Sequence, residues 1–175
     1  MKRHLWWGLM VLWLGACATG LWFYSQSHIT DFDPQLSLNH AAADVEFEAR
    51  LSEVLRDASV LPGSVVHIGP EGGCYCDTLS QRHHQAILNK LPGYKSVSLN
   101  ISQLPWVAQW LSRLPALILL DSTGEVRYFG PYALGAGCFN ADTLVSRIVS
   151  TTQTSLAQPG PLVISEATGC FCDAV

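Results

Sequence analysis

The sequence has little positive charge, with ten Lys and Arg residues against fourteen Asp and Glu residues. Beyond Lys2 and Arg3 the balance is eight basic against fourteen acidic residues, which disfavours nucleic acid as a partner. A glycine-rich phosphate loop, a serine nucleophile elbow, an H-E-x-x-H helix and a C-x-x-C-H haem motif are all missing. These absences exclude the commonest nucleotide, acyl-transfer, zinc-protease and c-type haem chemistries, and they direct attention to the cysteines.

An apolar segment opens the chain. Lys2 and Arg3 precede an uncharged run of twenty residues, 5–24, which at about 1.5 Å per residue spans a bilayer core of about 30 Å. Tryptophan or other aromatic residues stand at both ends of the run, where amphipathic rings settle at the headgroups. The basic start predicts a single-pass membrane helix with a cytoplasmic N-terminus and the rest of the chain outside the cytoplasm.

Two other interpretations of this segment stay open. Residues 14–17 resemble a lipoprotein processing site, which would anchor the protein through a lipid on Cys17, and a cleavable signal peptide has the same basic and apolar pattern. The predicted organisation is an anchor or signal segment over 1–24, a linker over 25–40, one domain over 41–155 and a C-terminal extension over 156–175. The chain beyond the segment is long enough for one domain with a real core.

The remainder of the chain alternates helical and extended segments. Residues 64–68 form a short β-branched run that leads into Cys74 and Cys76, and a helix is predicted from there to Pro92. Residues 116–120 are continuously apolar, as in buried strands, and the following turn predicts a hairpin with 125–129. The other predicted elements are helices carrying the apolar residues of 47–58, opening near Pro105 and over 141–152 behind Asn140, and strands over 94–99 and 162–165.

The same cysteine pattern occurs twice. "GCYCD" holds Cys74 and Cys76, and "GCFCD" near the end of the chain holds Cys170 and Cys172, while Cys138 stands alone between them. In an oxidising compartment, cysteines point to disulfides, to a metal or to redox chemistry. The two motifs are most simply two halves of one thiol system, with the first held by the fold and the second presented by the tail.

The order of elements is similar to that of thioredoxin-like proteins over about residues 41–155. Cysteines follow the first domain strand, Leu114-Pro115 precedes the third, and a hairpin is followed by a helix. With the anchor, "GCYC", "LPALILLD", "GPY…GAGC" and "GCFC", the chain resembles a family of bacterial membrane-anchored thioredoxin-like proteins that has no assigned reaction. The resemblance implies an α/β thioredoxin-like sandwich, a central mixed sheet flanked by helices, on an N-terminal transmembrane helix. It also implies a cis bond before Pro115, facing the cysteines, and a periplasmic domain on the bacterial inner membrane.

Redox chemistry at the first motif is the leading hypothesis. A thiolate attacks disulfides, and the N-terminus of a helix stabilises it through the dipole and free amide donors. We expect Cys74 to be the exposed attacking thiol and Cys76 its resolver, because cysteines two apart can form a small, readily reduced ring. Glu71 and Asp77 oppose this by raising the pKa of a nearby thiol. The expected reaction is thiol–disulfide exchange with the thiols or disulfides of envelope proteins, without a cofactor.

Two alternatives remain. Cys74 and Cys76 are also suited to be structural staples bonded to Cys170 or Cys172, in a stapled interaction domain. As four thiolates, the same cysteines match the donor set of a Zn²⁺ or Cu(I) carrier.

Three histidines and one further cysteine are weaker candidates. Imidazole from His67, His83 or His84 would be able to join a metal, although partly buried or surface histidines explain these three positions more simply. Cys138, flanked by glycine, is a candidate resolving thiol that would pass a disulfide to Cys170 or Cys172, or else a small buried hydrophobe.

Overall fold

The structure is a computed structural model, and it describes residues 2–27, 29–135, 144–153 and 160–174. The first helix, α1 (Lys2–Ser27), contains the stretch Trp6–Tyr24, which is long and apolar enough to cross a membrane. None of that stretch is buried against the rest of the protein. An apolar helix with no protein surface to cover it is what a lipid environment requires, since its backbone polar groups are satisfied within the helix.

A mixed five-stranded sheet forms the centre of the fold, in the order β3-β2-β5-β6-β7. The strands β2 and β3 run parallel, β5 is antiparallel to both β2 and β6, and β6 and β7 run parallel. Every residue of β2 and β5 is buried, which explains why neither strand alternates between polar and apolar residues along its sequence. The five strands are β2 (Ser64–Gly69), β3 (Lys95–Asn100), β5 (Ala116–Leu120), β6 (Val126–Gly130) and β7 (Leu162–Val163).

Helices cover both faces of the sheet. Because successive strand residues point to opposite faces, Val66 and Ile68 of β2 join one apolar cluster and Val65 joins another. The α3 face is formed by Val66, Ile68, Ile118 and Phe129 together with Phe47, Leu51 and Leu55 of α3 (Phe47–Asp57). The α4 face is formed by strand residues Val65, Leu117, Leu119 and Tyr128 together with Ile87 of α4 (Tyr75–Lys90). Val145 and Ile148 of α6 (Val145–Gln153) and the preceding residue Leu144 complete it.

The range predicted as a linker is partly folded into the domain. Residues Ile29–Asp31 form β1, and Phe32 is buried beside it. The buried carboxylate of Asp33 accepts hydrogen bonds from the backbone amides of Ser37 and Asn39 at the start of α2 (Ser37–Ala42). A strand of three residues and a helix of six are too short to leave a period in the sequence, and tertiary contacts hold them instead.

One predicted element differs in extent. The helix opening at Pro105 is a single turn, α5 (Pro105–Ala108), after a 3₁₀ turn over Ile101–Gln103, and the two-residue strand β4 (Arg113–Leu114) follows it. The Leu114–Pro115 peptide bond is cis, as the resemblance implies. The start predicted for the last helix, with its Asn140 cap, lies outside the described residues. The tail adds two short strands that the sequence did not predict, β8 (Thr168–Cys170) and β9 (Cys172–Asp173).

Candidate functional site

The two C-x-C motifs are joined to each other by two disulfides. Cys74 is bonded to Cys172 and Cys76 to Cys170, with Cα–Cα distances of 6.6 and 5.4 Å. Both distances lie within the ordinary range for disulfides. The ring expected within the first motif, between Cys74 and Cys76, is therefore not the pairing in this structure, because the tail brings a partner to each of the two thiols.

Two short strands hold the tail over the start of α4. In one, β8 pairs antiparallel with β1, and Cys170 lies opposite Ile29. In the other, β9 pairs antiparallel with β4, and Cys172 lies opposite Leu114, the residue before Pro115. The second cysteine motif thus bridges the chain segment that follows α1 and the segment that carries the cis proline.

Phe171 fixes the tail between these two strands. Its side chain is buried, and its ring centre lies 5.0 Å from that of Phe32. Gly169 makes this possible, because a Cβ at that position would lie only 3.1 Å from the Phe171 ring. The cysteine spacing and the flanking glycine of "GCFC" therefore place one aromatic side chain in the core and one cysteine on each side of it.

The two disulfides differ in their access to solvent. The outer disulfide joins Cys74 and Cys172, which are both partly exposed. The inner disulfide joins Cys76 and Cys170, which are only 5% and 6% exposed. A thiol in solution therefore reaches the outer disulfide first, and the inner disulfide only after the tail has moved.

Cys74 is the N-cap residue of α4. Its sulfur accepts a hydrogen bond from the backbone amide of Asp77 at 3.4 Å, as an N-cap oxygen would. Gly72 and Gly73 lie just before this N-cap and have φ angles of 88° and 73°, values that favour glycine. The positive end of the helix dipole and the amide donor both stabilise negative charge on this sulfur, so Cys74 is the better leaving thiolate of the outer disulfide.

A chain of buried polar side chains lies beside the disulfides, on the α4 face. Nε2 of His67 is 2.8 Å from Oδ1 of Asp77, and Nδ1 of His67 is 2.8 Å from the hydroxyl of Tyr132. The same hydroxyl is 3.0 Å from Nδ1 of His84, whose Nε2 is 2.7 Å from the hydroxyl of Ser96. The chain runs from Ser96, on the exposed side of β3, to Asp77 at the first turn of α4.

Both histidines of this chain are held neutral near pH 7. Burial lowers the pKa of His67, and the neighbouring Asp77 opposes that shift only in part. Burial and the nearby His67 ring lower the pKa of His84 to about 4. Burial also raises the pKa of Tyr132 well above its ordinary value. At physiological pH the chain therefore consists of two neutral imidazoles and a neutral phenol.

Cys74 and Cys76 lie at the start of α4, as the sequence predicted, but most of this polar chain was not predicted. His67, His83 and His84 are all buried, more deeply than the partly buried or surface positions expected from the sequence. Tyr132, Ser96 and the carboxylate of Asp77 were not predicted to meet them. One signal was available, since Asp77 and His84 are seven residues apart and so share a face of α4 that the preceding strand must cover.

The remaining candidate residues are distributed as follows. Pro115 is buried next to Leu114, whose strand partner is Cys172. Cys138 lies outside the described residues. In the described part of the chain, no group of three or more His, Cys, Asp or Glu is arranged to hold a metal ion. Cys17, the one described cysteine outside the disulfides, is exposed on α1.

The comparisons with known proteins give a family and nothing more specific. The family model described as a domain of unknown function, DUF6436, matches residues 40–174. The chain belongs to this family, and the matched range includes both cysteine motifs and the whole sheet. No curated protein and no solved structure matches the chain.

Proposed function

We propose that this member of the DUF6436 family is a membrane-tethered thiol–disulfide oxidoreductase that uses the outer disulfide, Cys74–Cys172, to exchange with thiols of other envelope proteins. The observation that carries the proposal is the position of Cys74. Its sulfur caps a helix, accepts the amide of Asp77 and takes part in a partly exposed disulfide. Those three features together favour attack on Cys172 and departure of Cys74 as a thiolate.

The arrangement of elements supports a thioredoxin-like fold for this function. The chain runs from β2 through α4 to the parallel strand β3, and then from β5 through β6 to α6, in a sheet ordered β3-β2-β5-β6. The cysteines follow β2, and a cis proline precedes β5. These are the features on which the sequence resemblance rests, now with their pairing partners.

The exchange at the outer disulfide forms one new disulfide bond for each bond that it breaks. A thiolate of a partner dithiol attacks Sγ of Cys172, a partner–Cys172 bond forms, and the Cys74–Cys172 bond breaks to release Cys74 as a thiolate. The second partner thiol then attacks the mixed disulfide and releases Cys172. The partner is oxidised to a disulfide, two electrons reduce the outer bridge, and the inner disulfide, Cys76–Cys170, is available for a second exchange once the tail has moved.

The partner's cysteines should lie close to the membrane surface. Cys170 pairs with Ile29, which is only five residues after Tyr24, the end of the apolar stretch. Five residues span at most about 18 Å, whatever direction the chain takes. With Lys2 and Arg3 in the cytoplasm, the disulfides would stand just outside the bacterial inner membrane, on its periplasmic side. Alternatively, processing at Cys17 would anchor the chain through a lipid twelve residues before Ile29.

A trapping experiment tests the proposal. In Cys74→Ser, Cys172 is left free without the thiol that would displace a partner from it, so the full-length protein should accumulate mixed disulfides between Cys172 and envelope proteins. The matched variant Cys76→Ser frees the buried Cys170 instead and should trap far fewer. A Cys74→Ser protein that forms no mixed disulfide, together with a wild type that does not exchange with glutathione, would contradict the proposed function.

A stapled interaction domain is the second candidate. It is favoured by the distance along the chain that the bridges span, 98 and 94 residues, and by the burial of Phe171 between them. In that case both disulfides would resist mild reductant, and no variant would trap a partner.

Metal carriage remains a third proposal. Reduction would free four thiols within one region of the structure, and four thiolates suit Zn²⁺. Elemental analysis of the reduced protein would show about one equivalent of bound metal if this proposal holds, and none if it does not.

A further inference from the structure

The chain just after α1 is paired with the tail. In the part of the chain that the structure describes, β1 (Ile29–Asp31) has a single strand partner, which is β8. The next residue, Phe32, donates its backbone amide to the carbonyl of Ala167 at 2.7 Å, and its ring packs against that of Phe171. The pairing of the segment that follows α1 therefore depends on where the tail lies.

The inner disulfide keeps the tail in this position. Cys170 belongs to β8 and lies opposite Ile29, and its bond to Cys76 fixes β8 to the start of α4. Ordering the backbone costs conformational entropy at every residue, and a two-stranded sheet of three residues returns little of it in water. We propose that the inner disulfide sets how far the domain reaches from the membrane: when it opens, β8 and β1 separate, and the residues of β1 lengthen the tether.

The charges between the two segments favour their separation. Asp31 of β1 and Glu166 of the tail line one cavity of about 480 Å³, together with Asp33. None of the described residues that line this cavity is basic. Like charges on two neighbouring segments raise the free energy of the state in which the segments are joined. The covalent bond at Cys170 therefore holds together two segments that their charges drive apart.

The release ends at α2. The carboxylate of Asp33 accepts the amides of Ser37 and Asn39, and Leu38 is fully buried in the apolar cluster of the α3 face. The first fixed residue would move from Ile29, five residues after Tyr24, to Asp33, nine residues after it. The longest possible tether therefore grows from about 18 Å to about 32 Å.

A second dithiol opens the inner disulfide after the outer one. Its thiolate attacks Sγ of Cys170, Cys76 leaves, and the other thiol of the dithiol then closes a new disulfide and releases Cys170. Over both bridges two dithiols are oxidised, and four electrons and four protons pass to the four cysteines. A disulfide of another protein reverses these steps. The oxidised domain would thus serve dithiols close to the membrane, and the reduced domain would reach disulfides farther from it.

Hydrogen exchange on the full-length protein in lipid nanodiscs tests the release. In the oxidised protein the backbone amides of residues 29–32 should exchange slowly. After a phosphine has reduced both disulfides, as alkylation and mass confirm, these amides should exchange at least about tenfold faster. β5 (Ala116–Leu120), at the centre of the sheet, should stay protected. Unchanged exchange at 29–32 would overturn the proposal, and so would an equal loss of protection in β5, because the whole domain would then be opening.

Two matched variants separate the two bridges without a phosphine. Cys76→Ser/Cys170→Ser removes the inner bridge, and Cys74→Ser/Cys172→Ser removes the outer one. They open loops of 94 and 98 residues, so they should be destabilised to a similar extent, and neither leaves a free thiol at the site. Residues 29–32 should exchange several-fold faster in the variant without the inner bridge. Equal exchange in the two variants would show that the inner disulfide has no special part in holding β1, and the proposal would be wrong.

Energy transfer to acceptor lipids measures the height of the domain. A fluorophore on a clickable amino acid in place of Val45, which is 99% exposed, should transfer less energy after reduction. Unchanged transfer in the reduced protein would overturn the change in reach.

These measurements are independent of the proposed function. A phosphine opens a disulfide without any protein partner, whereas trapping on Cys172 depends on one. Release of β1 with no trapped partner would keep the control of the tether and reject thiol exchange with envelope proteins. Trapped partners with a protected β1 would do the reverse.

Discussion

The two faces of the central sheet differ in the polarity of their buried side chains. On the α3 face, Val66 and Ile68 of β2 pack among buried apolar side chains alone. On the α4 face the residue between them, His67, begins a chain of buried hydrogen bonds. Adjacent residues of one strand therefore lie in an apolar and in a polar environment. The comparison indicates that the apolar α3 face contributes more to the free energy of unfolding than the α4 face, which holds polar groups next to the disulfides.

The tail connects the two faces. Phe171 packs into the apolar cluster of the α3 face, while the cysteines on either side of it bond to the start of α4. Any change to the bridges therefore acts on both faces together, and it should have a larger effect than a change to either face alone.

The largest effect is expected from removing both bridges, as in Cys170→Ala/Cys172→Ala. The bridges close loops of 98 and 94 residues, and loss of such a constraint costs about 4–5 kcal/mol in the free energy of unfolding. Because either bridge closes nearly the same loop, removal of one alone should cost about 2 kcal/mol or less. Denaturant unfolding of the full chain in micelles measures both, and additive losses would contradict this redundancy.

A pair of neighbouring residues on β6 compares the faces directly. Phe129 is fully buried on the α3 face and stacks 6.2 Å from Phe47, so Phe129→Ala should lower the free energy of unfolding by about 3–5 kcal/mol. Tyr128 faces α4, and its hydroxyl donates to the backbone carbonyl of Pro131 at 2.6 Å. Tyr128→Phe removes that bond alone and should cost about 1–3 kcal/mol. Equal losses would remove the distinction between the two faces.

The sequence predicted the central elements because their signals are local. Residues 64–68 are a β-branched run and residues 116–120 an apolar run, and the structure has β2 and β5 over nearly the same ranges. The position of the cysteines at the start of a helix was predicted for the same reason. β1, β8 and β9 were missed because each has three residues or fewer and depends on a partner far away in the chain.

The connections within the site could not be predicted for a different reason. Which cysteine bonds to which depends on where the tail folds, and four cysteines allow three pairings. The meeting of Tyr132 with His67 and His84 depends on the loop after β6, which lies 65 and 48 residues away in sequence. Spacing within one element predicts which residues share a face, but it carries no information about what a distant loop contributes.

The polar face should make the protein less stable in acid. Burial lowers the pKa of His84 to about 4, below its ordinary value of 6.5. Between these values the unfolded chain binds more protons than the folded one, so the free energy of unfolding falls as the pH drops from about 6.5 to about 4 and then levels off. The full loss is about 3 kcal/mol, with a smaller loss in the same direction from His67.

Unfolding measured across this pH range checks the acid response. His84→Gln cannot titrate, so its stability should change less between pH 7 and pH 4 than that of the wild type, even if it is less stable at every pH. The exposed residue His40 provides the matched control, and His40→Gln should keep the wild-type slope. An unchanged slope in His84→Gln would show that the acid response comes from elsewhere.

The smallest effect is expected at the solvent end of the polar chain. Ser96 lies on the exposed side of β3, and its hydroxyl is 2.7 Å from Nε2 of His84. In Ser96→Ala a water molecule can take the place of the hydroxyl, so the free energy of unfolding should fall by no more than about 1 kcal/mol. Tyr132→Phe, in the buried middle of the chain, has no such replacement and should cost more. A loss at Ser96 as large as that at Tyr132 would mean that the chain is closed to solvent at this end.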